Sequence, residues 1–449
     1  MRRPRLLPAA LCLAAAVPLP GLRAAVFSPA SYGAAFSENV NDAPALQKAI
    51  DAASAAGGGT VAIPAGRTVM AGSITLKSNV TLDLEPGSRL LGSVRRADYR
   101  GETFIHAVDA DNVTIEGDGT IDGRGLHFLG KEGRYIYERT ATDWRPRLIL
   151  LQGCRHVAVK DVNLRNAGFW TLDLAGCDDV SIHGISIRNS LKAPNCDGID
   201  ADHSRNVRIA DCSVSCGDDG IVAKASREFS QYGPCENITV SHCVVTTHDC
   251  AFKIGSETTA PIRNVVFSDC VVNQCGRGIG ILLRDQGDVE NIVAHDIIIH
   301  SQLFHPEWWG ASEAVYVDAH PRTPGGRMGV LRNLRFSHIL ARGEAGVFIQ
   351  GCSACVPNNI VLQDVTLDIA KSTPWPSRID LRPPEALGIL QKDVTIAGFH
   401  LDRAREVTVR DCTVHWGPNP PASYGPAIQA TRVEALTIDG FHASDAHAP

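Results

Sequence analysis

Short segments in which apolar and polar residues alternate recur along most of the chain. Examples are NVRIADCSVSC from Asn206, NITVSHCVVTT from Asn237 and NVVFSDCVVNQ from Asn264. Each segment contains two alternating runs separated by a short turn, and such alternation is typical of strands with one buried face. The pattern therefore predicts many short β-strands joined by turns.

The spacing of these segments reveals a repeat. From Asn206 the next segments begin 31, 27 and 27 residues later, at Asn237, Asn264 and Asn291. Self-similarity at this period indicates a solenoid, and strands with turns leave no room for helices. We predict an all-β parallel β-helix, with coils about 4.8 Å apart and the recurring Asn satisfying buried backbone groups at a turn. A β-sandwich would need frequent Asn-Gly hairpin turns, which are scarce here.

The N-terminal region predicts a leader and a cap. Residues 1–24 begin with the positive charges of Arg2, Arg3 and Arg5, followed by an apolar run and small residues, which is typical of a secretory signal peptide. A short helix, capped by Asn41 or Asp42 and ending near Ala55, is expected to cover the open sheet end. We expect residues 25–449 to form a single exported domain, periplasmic or extracellular, without a membrane span and monomeric.

Composition narrows the function classes. The 449 residues carry a net charge of −6 and no basic patch, so nucleic-acid binding is not expected. Most of the 14 cysteines occupy similar points of successive repeats, as buried stacked thiols would. Cys216–Cys235 and Cys352–Cys355 are possible disulfides, and no Cys/His spacing resembles a zinc site.

Residues 195–224 hold the candidate chemistry. Asp197 precedes Asp218 and Asp219 by about one repeat, so stacked coils would bring the three carboxylates together. Their repulsion should raise the pKa of at least one, giving an acid beside ionised bases, as glycoside hydrolysis requires. We expect carboxylate separations near the wider, inverting range. Asp200 and Asp202, like Asp211, are interpreted as structural.

Cations and insertions flank these acids. The substrate-binding candidates are Asn195, Lys224, His248, Lys253 and Arg284. Longer interruptions at about 122–146, 300–330 and 371–395 become loops, often on the binding face of a solenoid. Their tryptophans would stack on sugars or anchor the loops, and both interpretations stay open; they are Trp144, Trp308, Trp309 and Trp375.

The chain resembles glycoside hydrolase family 28, the polygalacturonase family of right-handed β-helices. The family's opening coils are similar to two segments of this chain, AIDAASAAGGGTVAIPAG and LKSNVTLDLEPGSRLLGS. Its Asn-Thr-Asp motif is similar to NCDGID at 195–200, and its Gly-Asp-Asp-Cys motif is similar to CGDDG at 216–220. The resemblance implies inverting hydrolysis of a pectic polysaccharide or oligosaccharide without a metal or cofactor. It further implies that Asp218 is the general acid and that Asp197 and Asp219 hold and deprotonate the water.

The motifs that contact substrate have diverged. The family's Gly-His-Gly is approximated by Thr247-His248-Asp249, and its Arg-x-Lys, which engages a galacturonate carboxylate, is Arg284-Asp285-Gln286. Either Lys253 compensates, or the substrate is decorated pectin, a rhamnogalacturonan oligosaccharide or another glycoside. HPEWWG at 305–310 could close one end of the groove, which favours exo action. The alternatives are a calcium-dependent β-helical polysaccharide lyase and a non-catalytic carbohydrate-binding β-helix.

Overall fold

The structure is a computed structural model that describes residues 25–305, 308–383, 390–392 and 394–448. The chain winds into a right-handed parallel β-helix, as predicted. Each typical coil passes in turn through three parallel sheets, here called sheet 1, sheet 2 and sheet 3. The predicted signal peptide, residues 1–24, lies outside the described residues.

The strands stack coil upon coil within each sheet. Sheet 1 contains Ile74–Thr75, Thr103–Val108, Arg147–Gln152, Leu172–Ala175, Ile199–Asp202, Ile221–Ala225, Cys250–Thr258, Arg277–Leu283, Glu313–Ala319 and Val347–Gln350. Sheet 2 contains Val26–Phe27, Gly59–Ile63, Val80–Leu84, Asp111–Glu116, Arg155–Lys160, Asp178–His183, Arg205–Ala210 and Cys235–Ser241. Sheet 3 contains Thr68–Ala71, Arg89–Gly92, Thr120–Asp122, Asn163–Arg165, Ser186–Arg188, Ser213–Cys216, Val244–Thr247, Thr413–Trp416 and His442–Ala443.

Longer strands bend from one sheet into the next. Those that join sheets 2 and 3 are Ile262–Cys275, Val289–Ser301, Leu331–Gly343 and Asn358–Ile369. Those that join sheets 1 and 2 are Phe399–Arg410 and Ile428–Asp439. A separate antiparallel pair is formed by Arg378–Asp380 and Leu390–Lys392. The helical elements are the α-helix Ala43–Ala55 and the 3₁₀ turns Pro29–Tyr32, Arg96–Asp98, Gly125–Phe128 and Ser230–Tyr232.

The alternation seen in the sequence fills the interior. In the strand Arg205–Ala210, Val207 and Ile209 are buried while Arg208 is exposed. Val207 lies opposite Ile238 on the next coil, so side chains of the same type stack along the helix axis. The result is one continuous apolar core, which the hydrophobic effect favours and which holds the coils in register.

The recurring asparagines form a side-chain ladder. The Asn237 amide donates to Asn206 Oδ1 at 3.1 Å, Asn264 to Asn237 at 2.9 Å and Asn291 to Asn264 at 3.0 Å. All four residues have φ between +56° and +59°, a region that Asn tolerates better than most residues. The predicted role was different: these exposed amides bond to one another rather than to buried backbone groups.

The predicted N-terminal cap is present. The helix Ala43–Ala55 buries Leu46, Ile50 and Ala53. Asn41 Oδ1 accepts a hydrogen bond from the Ala43 amide at 3.1 Å, whereas the Asp42 side chain makes no capping bond. No helix among the described residues is long and apolar enough to cross a membrane.

The cysteines of the described chain are all free thiols. The two possible disulfides, Cys216–Cys235 and Cys352–Cys355, are therefore wrong. Cys212, Cys243 and Cys270 instead occupy equivalent buried positions on successive coils. These small apolar groups pack along the core, as the repeat spacing indicated.

Candidate active site

The three predicted acids lie in turns that lead from sheet 3 into sheet 1. Asp197 comes just before the strand Ile199–Asp202, and Asp218 and Asp219 come just before Ile221–Ala225. Ile199 pairs with Ile221, so Asp197 and Asp219 occupy equivalent positions on neighbouring coils. One carboxylate oxygen of each acid lies within 4.8 Å of the others. The structure therefore brings the three acids together, and closer than the ~6.5–9.5 Å expected for inverting enzymes.

Asp218 differs from its two neighbours in exposure. It is half-buried and lines a pocket, whereas Asp197 and Asp219 are 3% and 4% exposed. The backbone amides of Asn195 and Asp219 donate to the two Asp218 carboxylate oxygens, at 2.9 and 3.0 Å. These bonds fix the orientation of the one catalytic candidate that a substrate can reach.

Lys224 and Lys253 belong to the acid cluster. Lys224 Nζ lies 2.8 Å from Asp200 Oδ1 and 3.6 Å from Asp197 Oδ2. Lys253 Nζ lies 2.5 Å from Asp219 Oδ2. Both lysines are buried and 5% exposed, so their ammonium groups compensate the charge of the acids.

Burial and charge shift the pKa values of the cluster. Burial, followed by the neighbouring carboxylates, raises the pKa of Asp197 well above its usual range. Burial also raises the pKa of Asp219, against the effect of Lys253, and raises that of Asp200 to about 6. The folded cluster thus holds protons more tightly than isolated aspartates do, as mutual repulsion predicted, with burial as the larger cause.

Asp249 is a fourth acid that the sequence analysis missed. Ile221 pairs with Phe252 on the next coil, which places Asp249 beside Asp218. Asp249 is 2% exposed and lines the same pocket as Asp218. Burial and then Asp219 raise the pKa of Asp249 well above its usual range. The available signal was the segment Thr247-His248-Asp249, in which the resemblance to Gly-His-Gly implies a glycine rather than an acid.

Other acids lie on the outer face of sheet 1. Asp200 and Asp202 are fully buried, and Asp202 is opposite Lys224 on the next coil. Asp202 accepts a hydrogen bond from the Ser226 amide at 2.9 Å, which agrees with a structural role, whereas Asp200 is part of the charged cluster through Lys224. Asp211 is exposed and lies 2.9 Å from His183.

The pocket beside Asp218 and Asp249 has a volume of about 80 Å³. Its other lining residues are Ile136, Arg139, Pro194, Asn195, Trp308 and Trp309. Arg139 donates to Asn195 Oδ1 at 2.8 Å and pairs with Asp143 at 3.2 Å. Half of the described lining residues are therefore apolar, and the others include two acids and one cation that is already paired.

His248 lies next to the pocket wall. Its imidazole stacks on Phe304 with ring centroids 3.9 Å apart and meets Trp308 edge-on at 5.8 Å. Burial lowers the pKa of His248 to about 4, so the ring is neutral near pH 7. In this arrangement His248 supports Trp308, which lines the pocket.

The Arg284 guanidinium is not brought into the pocket. It is fully buried, pairs with Asp318, and donates to the carbonyl oxygens of Leu381 at 3.1 Å and Pro383 at 2.5 Å. Asp285, which follows it, is held by Arg322 at 2.9 Å. Arg284 therefore holds residues 378–383 against sheet 1, a placement that depends on a contact about a hundred residues away in sequence.

The tryptophans of the insertions divide between the two roles considered. Trp144 packs edge-on against Tyr99 and Phe128 and anchors its loop. Trp308 and Trp309 line the pocket. The sequence analysis did not single out Trp170. The centroid of its ring lies 3.8 Å from Lys224 Nζ, a cation–π contact.

Comparison with known proteins assigns the family. Residues 54–304, more than half of the chain, match the sequence model described as "Glycosyl hydrolases family 28". The chain belongs to glycosyl hydrolases family 28. This family 28 member is thus a glycoside hydrolase, rather than the lyase or the non-catalytic binder considered above.

Individual relatives agree with this family 28 assignment. The chain is 25% identical over 356 residues to "Probable polygalacturonase" of Vitis vinifera, covering 71% of this chain and 69% of that one. It is 24% identical over 321 residues to "Endo-polygalacturonase" of Pectobacterium carotovorum subsp. carotovorum, covering 69% and 76%. The solved family 28 exopolygalacturonase of Yersinia enterocolitica superimposes with a TM-score of 0.72 at 18% identity, covering 93% and 79%, which shows a shared fold.

The acid cluster could in principle hold a cation. Oxygens of Asp197, Asp218 and Asp219 converge closely enough to ligate a metal, and hard cations prefer such carboxylates. In this family 28 hydrolase, however, Lys224 and Lys253 already place two ammonium groups on these acids. The residues present therefore balance the cluster's charge with protein groups.

Proposed function

We propose that the protein hydrolyses α-glycosidic bonds of a pectic polysaccharide or oligosaccharide with inversion of configuration. Family membership supports the reaction class, and the convergence of Asp197, Asp218 and Asp219 within 4.8 Å carries the assignment of the site. Because these oxygens are closer together than the typical inverting spacing, inversion rests on the family resemblance and not on that distance.

Asp218 is the proposed general acid. It alone of the three acids lines the pocket, so its proton can reach a glycosidic oxygen. The two backbone amides that bind its oxygens hold the carboxyl in place, and positioned proton transfer typically contributes 10²–10⁴-fold to a rate. The neighbouring negative charges favour keeping a proton within the cluster.

Asp197 and Asp219 are the proposed bases that hold and deprotonate the water. Each directs Oδ2 towards a lysine. Each also has a buried Oδ1 without a hydrogen-bond partner among the residues described. Buried oxygens normally have partners, so two such acceptors on neighbouring coils suit one water molecule. Lys224 and Lys253 stabilise the ionised forms that this role requires.

Exo action is supported by residues 378–383, which cover part of the outer face of sheet 1. Leu381 packs on Leu282, Tyr316 and Phe348, which point outward from successive strands on the C-terminal side of the site. Residues 378–383 therefore cover the face along which a polysaccharide would continue. The predicted HPEWWG wall contributes Trp308 and Trp309 to the pocket, although residues 306–307 of this segment lie outside those described.

Product analysis tests these assignments. A pectic oligosaccharide ladder should lose one terminal unit at a time, and early NMR spectra should show the β-anomer as the first product. Asp218→Asn should lower kcat by at least about 10²-fold, while Asp211→Asn, at an exposed turn, should leave kcat unchanged. Random internal cleavage would contradict exo action, and an α-anomer as first product would contradict inversion.

We also propose that residues 25–449 form one exported, monomeric domain. The apolar core continues from coil to coil through the described chain, which supports one domain. The composition of residues 1–24 supports export. N-terminal sequencing of the exported protein and its mass in solution by light scattering test cleavage near Ala24 and the monomer.

A further inference from the structure

The carboxyl of Asp218 is held by two backbone amides of different origin. The Asp219 amide donates to Asp218 Oδ1 at 3.0 Å and belongs to the next residue, so this bond forms within one turn. The Asn195 amide donates to Oδ2 at 2.9 Å and comes from the preceding coil. Asn195 has a φ of +53°, a region that few residues other than glycine adopt. The second bond therefore depends on the contacts that fix the Asn195 backbone.

Arg145 binds the peptide group that carries this amide. Its guanidinium donates to the carbonyl oxygen of Pro194 and, at 3.0 Å, to Asn195 Oδ1. The Pro194 carbonyl and the Asn195 N–H are the two ends of one peptide group, which is planar. Fixing the carbonyl oxygen therefore fixes the direction of the N–H that donates to Asp218. A charged donor on the carbonyl also polarises the peptide group and strengthens its N–H as a donor.

Arg145 is itself fixed by its neighbours. Its side chain is 1% exposed, and its Nε lies 2.9 Å from Asp143 Oδ1. The second oxygen of Asp143 lies 3.2 Å from Arg139, which donates in turn to Asn195 Oδ1 at 2.8 Å. The Arg145 guanidinium also lies over the Phe169 ring, 5.0 Å from its centroid. Two arginines, one aspartate and one asparagine thus form a closed set of charge-assisted hydrogen bonds, a geometry that the planar guanidinium suits.

These contacts join a loop insertion to the turn that carries the amide. Arg145 lies at the end of the insertion at 122–146. Earlier in the insertion, the Tyr137 amide donates to the Lys192 carbonyl at 3.0 Å, and Lys192 Nζ lies 2.7 Å from Glu132. The insertion is therefore bonded to this turn at several points, although it contains none of the three proposed catalytic acids.

We propose that Arg145 is a positioning residue for the general acid, which acts through the Pro194–Asn195 peptide to orient the Asp218 carboxyl towards the glycosidic oxygen. The proposal rests on the proposed function, because it takes Asp218 as the acid. Asn195, a substrate-binding candidate, also connects the arginine to the acid, since its side-chain oxygen accepts bonds from two arginines. A misplacement of about 1 Å can lower a rate about 10²-fold, so the loss of Arg145 should lower kcat.

Substrates with different leaving groups test the proposal. A pectic oligosaccharide needs a proton on its leaving oxygen, whereas a nitrophenyl glycoside of the same terminal sugar releases a stable phenolate without one. Arg145→Met should lower kcat for the oligosaccharide at least about tenfold with little change in KM. It should lower kcat for the nitrophenyl glycoside less than about threefold, because that step does not use the acid.

Arg335→Met is the matched control. Arg335 donates to the Asn359 carbonyl at 2.8 Å and to Asn359 Oδ1 at 2.9 Å, so it binds an asparagine in a similar way. It lies outside the described lining of the pocket. Its loss should leave kcat unchanged for both substrates.

A double-variant cycle separates positioning from a general effect on the fold. In the Asp218→Asn background, Arg145→Met should lower kcat for the oligosaccharide by less than about threefold further, because the group that it positions is already lost. Losses that multiply, or an equal loss on both substrates, would overturn the inference and make Arg145 a structural residue. If Arg145→Met does not fold, Arg145→Lys takes its place, since lysine keeps the charge beside Asp143 but lacks the planar fork.

The same cycle distinguishes the inference from the function on which it rests. If Asp218→Asn loses no activity on the oligosaccharide, the proposed function is refuted and the inference with it. If Asp218→Asn loses activity mainly on the oligosaccharide while Arg145→Met keeps the wild-type kcat, the inference alone is refuted.

Discussion

Replacing Lys253 with methionine tests how much the buried ion pair with Asp219 contributes to stability and to activity. Lys253 Nζ lies 2.5 Å from Asp219 Oδ2, and both side chains are 6% exposed. Removing one partner of such a pair costs about 3–5 kcal/mol, because the other charge remains buried alone. The folded variant avoids part of this cost by protonating Asp219, whose pKa burial already raises.

The variant changes the titration of Asp219 as well as the stability of the fold. The Lys253 ammonium opposes the effect of burial, so its loss raises the pKa of Asp219 further. A base with a higher pKa is protonated over more of the pH range, so the acidic limb of the kcat profile should move to higher pH. The stability deficit of the variant should be largest at high pH and shrink as pH falls, since the folded state binds the proton more tightly.

The assay combines kcat measured from about pH 4 to 9 with urea unfolding at both ends of that range. Lys77→Met is the matched control, because Lys77 and Asp51 form a 2.7 Å pair with side chains 46% and 47% exposed. That exposed pair should contribute less than about 1 kcal/mol, and its loss should leave the kcat profile unmoved. A folded Lys253→Met variant with the wild-type pH profile would refute the role of Asp219 as an ionised base.

Three further predictions concern the scaffold. Arg284→Met should lower the free energy of unfolding by about 3–5 kcal/mol, because it leaves the buried Asp318 without its charged partner. Arg208→Met, which removes an exposed ion pair, should lower it by less than about 1 kcal/mol. A large rise in KM without a loss of stability would instead make Arg284 a substrate ligand. Because the pKa of His248 is lowered to about 4 in the folded protein, the unfolded chain is protonated first as pH falls from 6.5 to 4, and the free energy of unfolding should fall by up to about 3 kcal/mol. Urea unfolding of His248→Phe should show a smaller fall over the same pH range. An identical fall would contradict this prediction. Thiol titration of the unfolded protein without its leader should find every cysteine reactive, and reductant should leave Tm unchanged; a Tm drop would indicate a disulfide.

Local patterns were sufficient for the fold and for the position of the acids. The strand alternation and the repeat of about 27 residues specify stacked coils, because side chains on a strand alternate between core and solvent and each coil must pair with the next. The same stacking predicted that Asp197 would meet Asp218 and Asp219, since one repeat in sequence is one coil in space.

The partners of charged side chains could not be predicted in this way. Sequence analysis offered Lys253 and Arg284 to the substrate, yet the structure places one on Asp219 and the other on Asp318. It also missed Asp249, because the pocket that this acid lines includes residues from distant insertions, such as Arg139 and Trp309. A repeat specifies the position of a residue within its coil, but not which distant loop covers its side chain.

The sequence by itself therefore determined the β-helix, its coil register and the neighbouring acids, because each follows from spacing along the chain. Tertiary structure decided the charge of the pocket. Residues 378–383 fold back over sheet 1 and bind Arg284, and buried lysines neutralise acids that the sequence left open to substrate. Burial sets pKa values and removes cations from solvent, and burial is a property of the assembled coils and loops rather than of any segment.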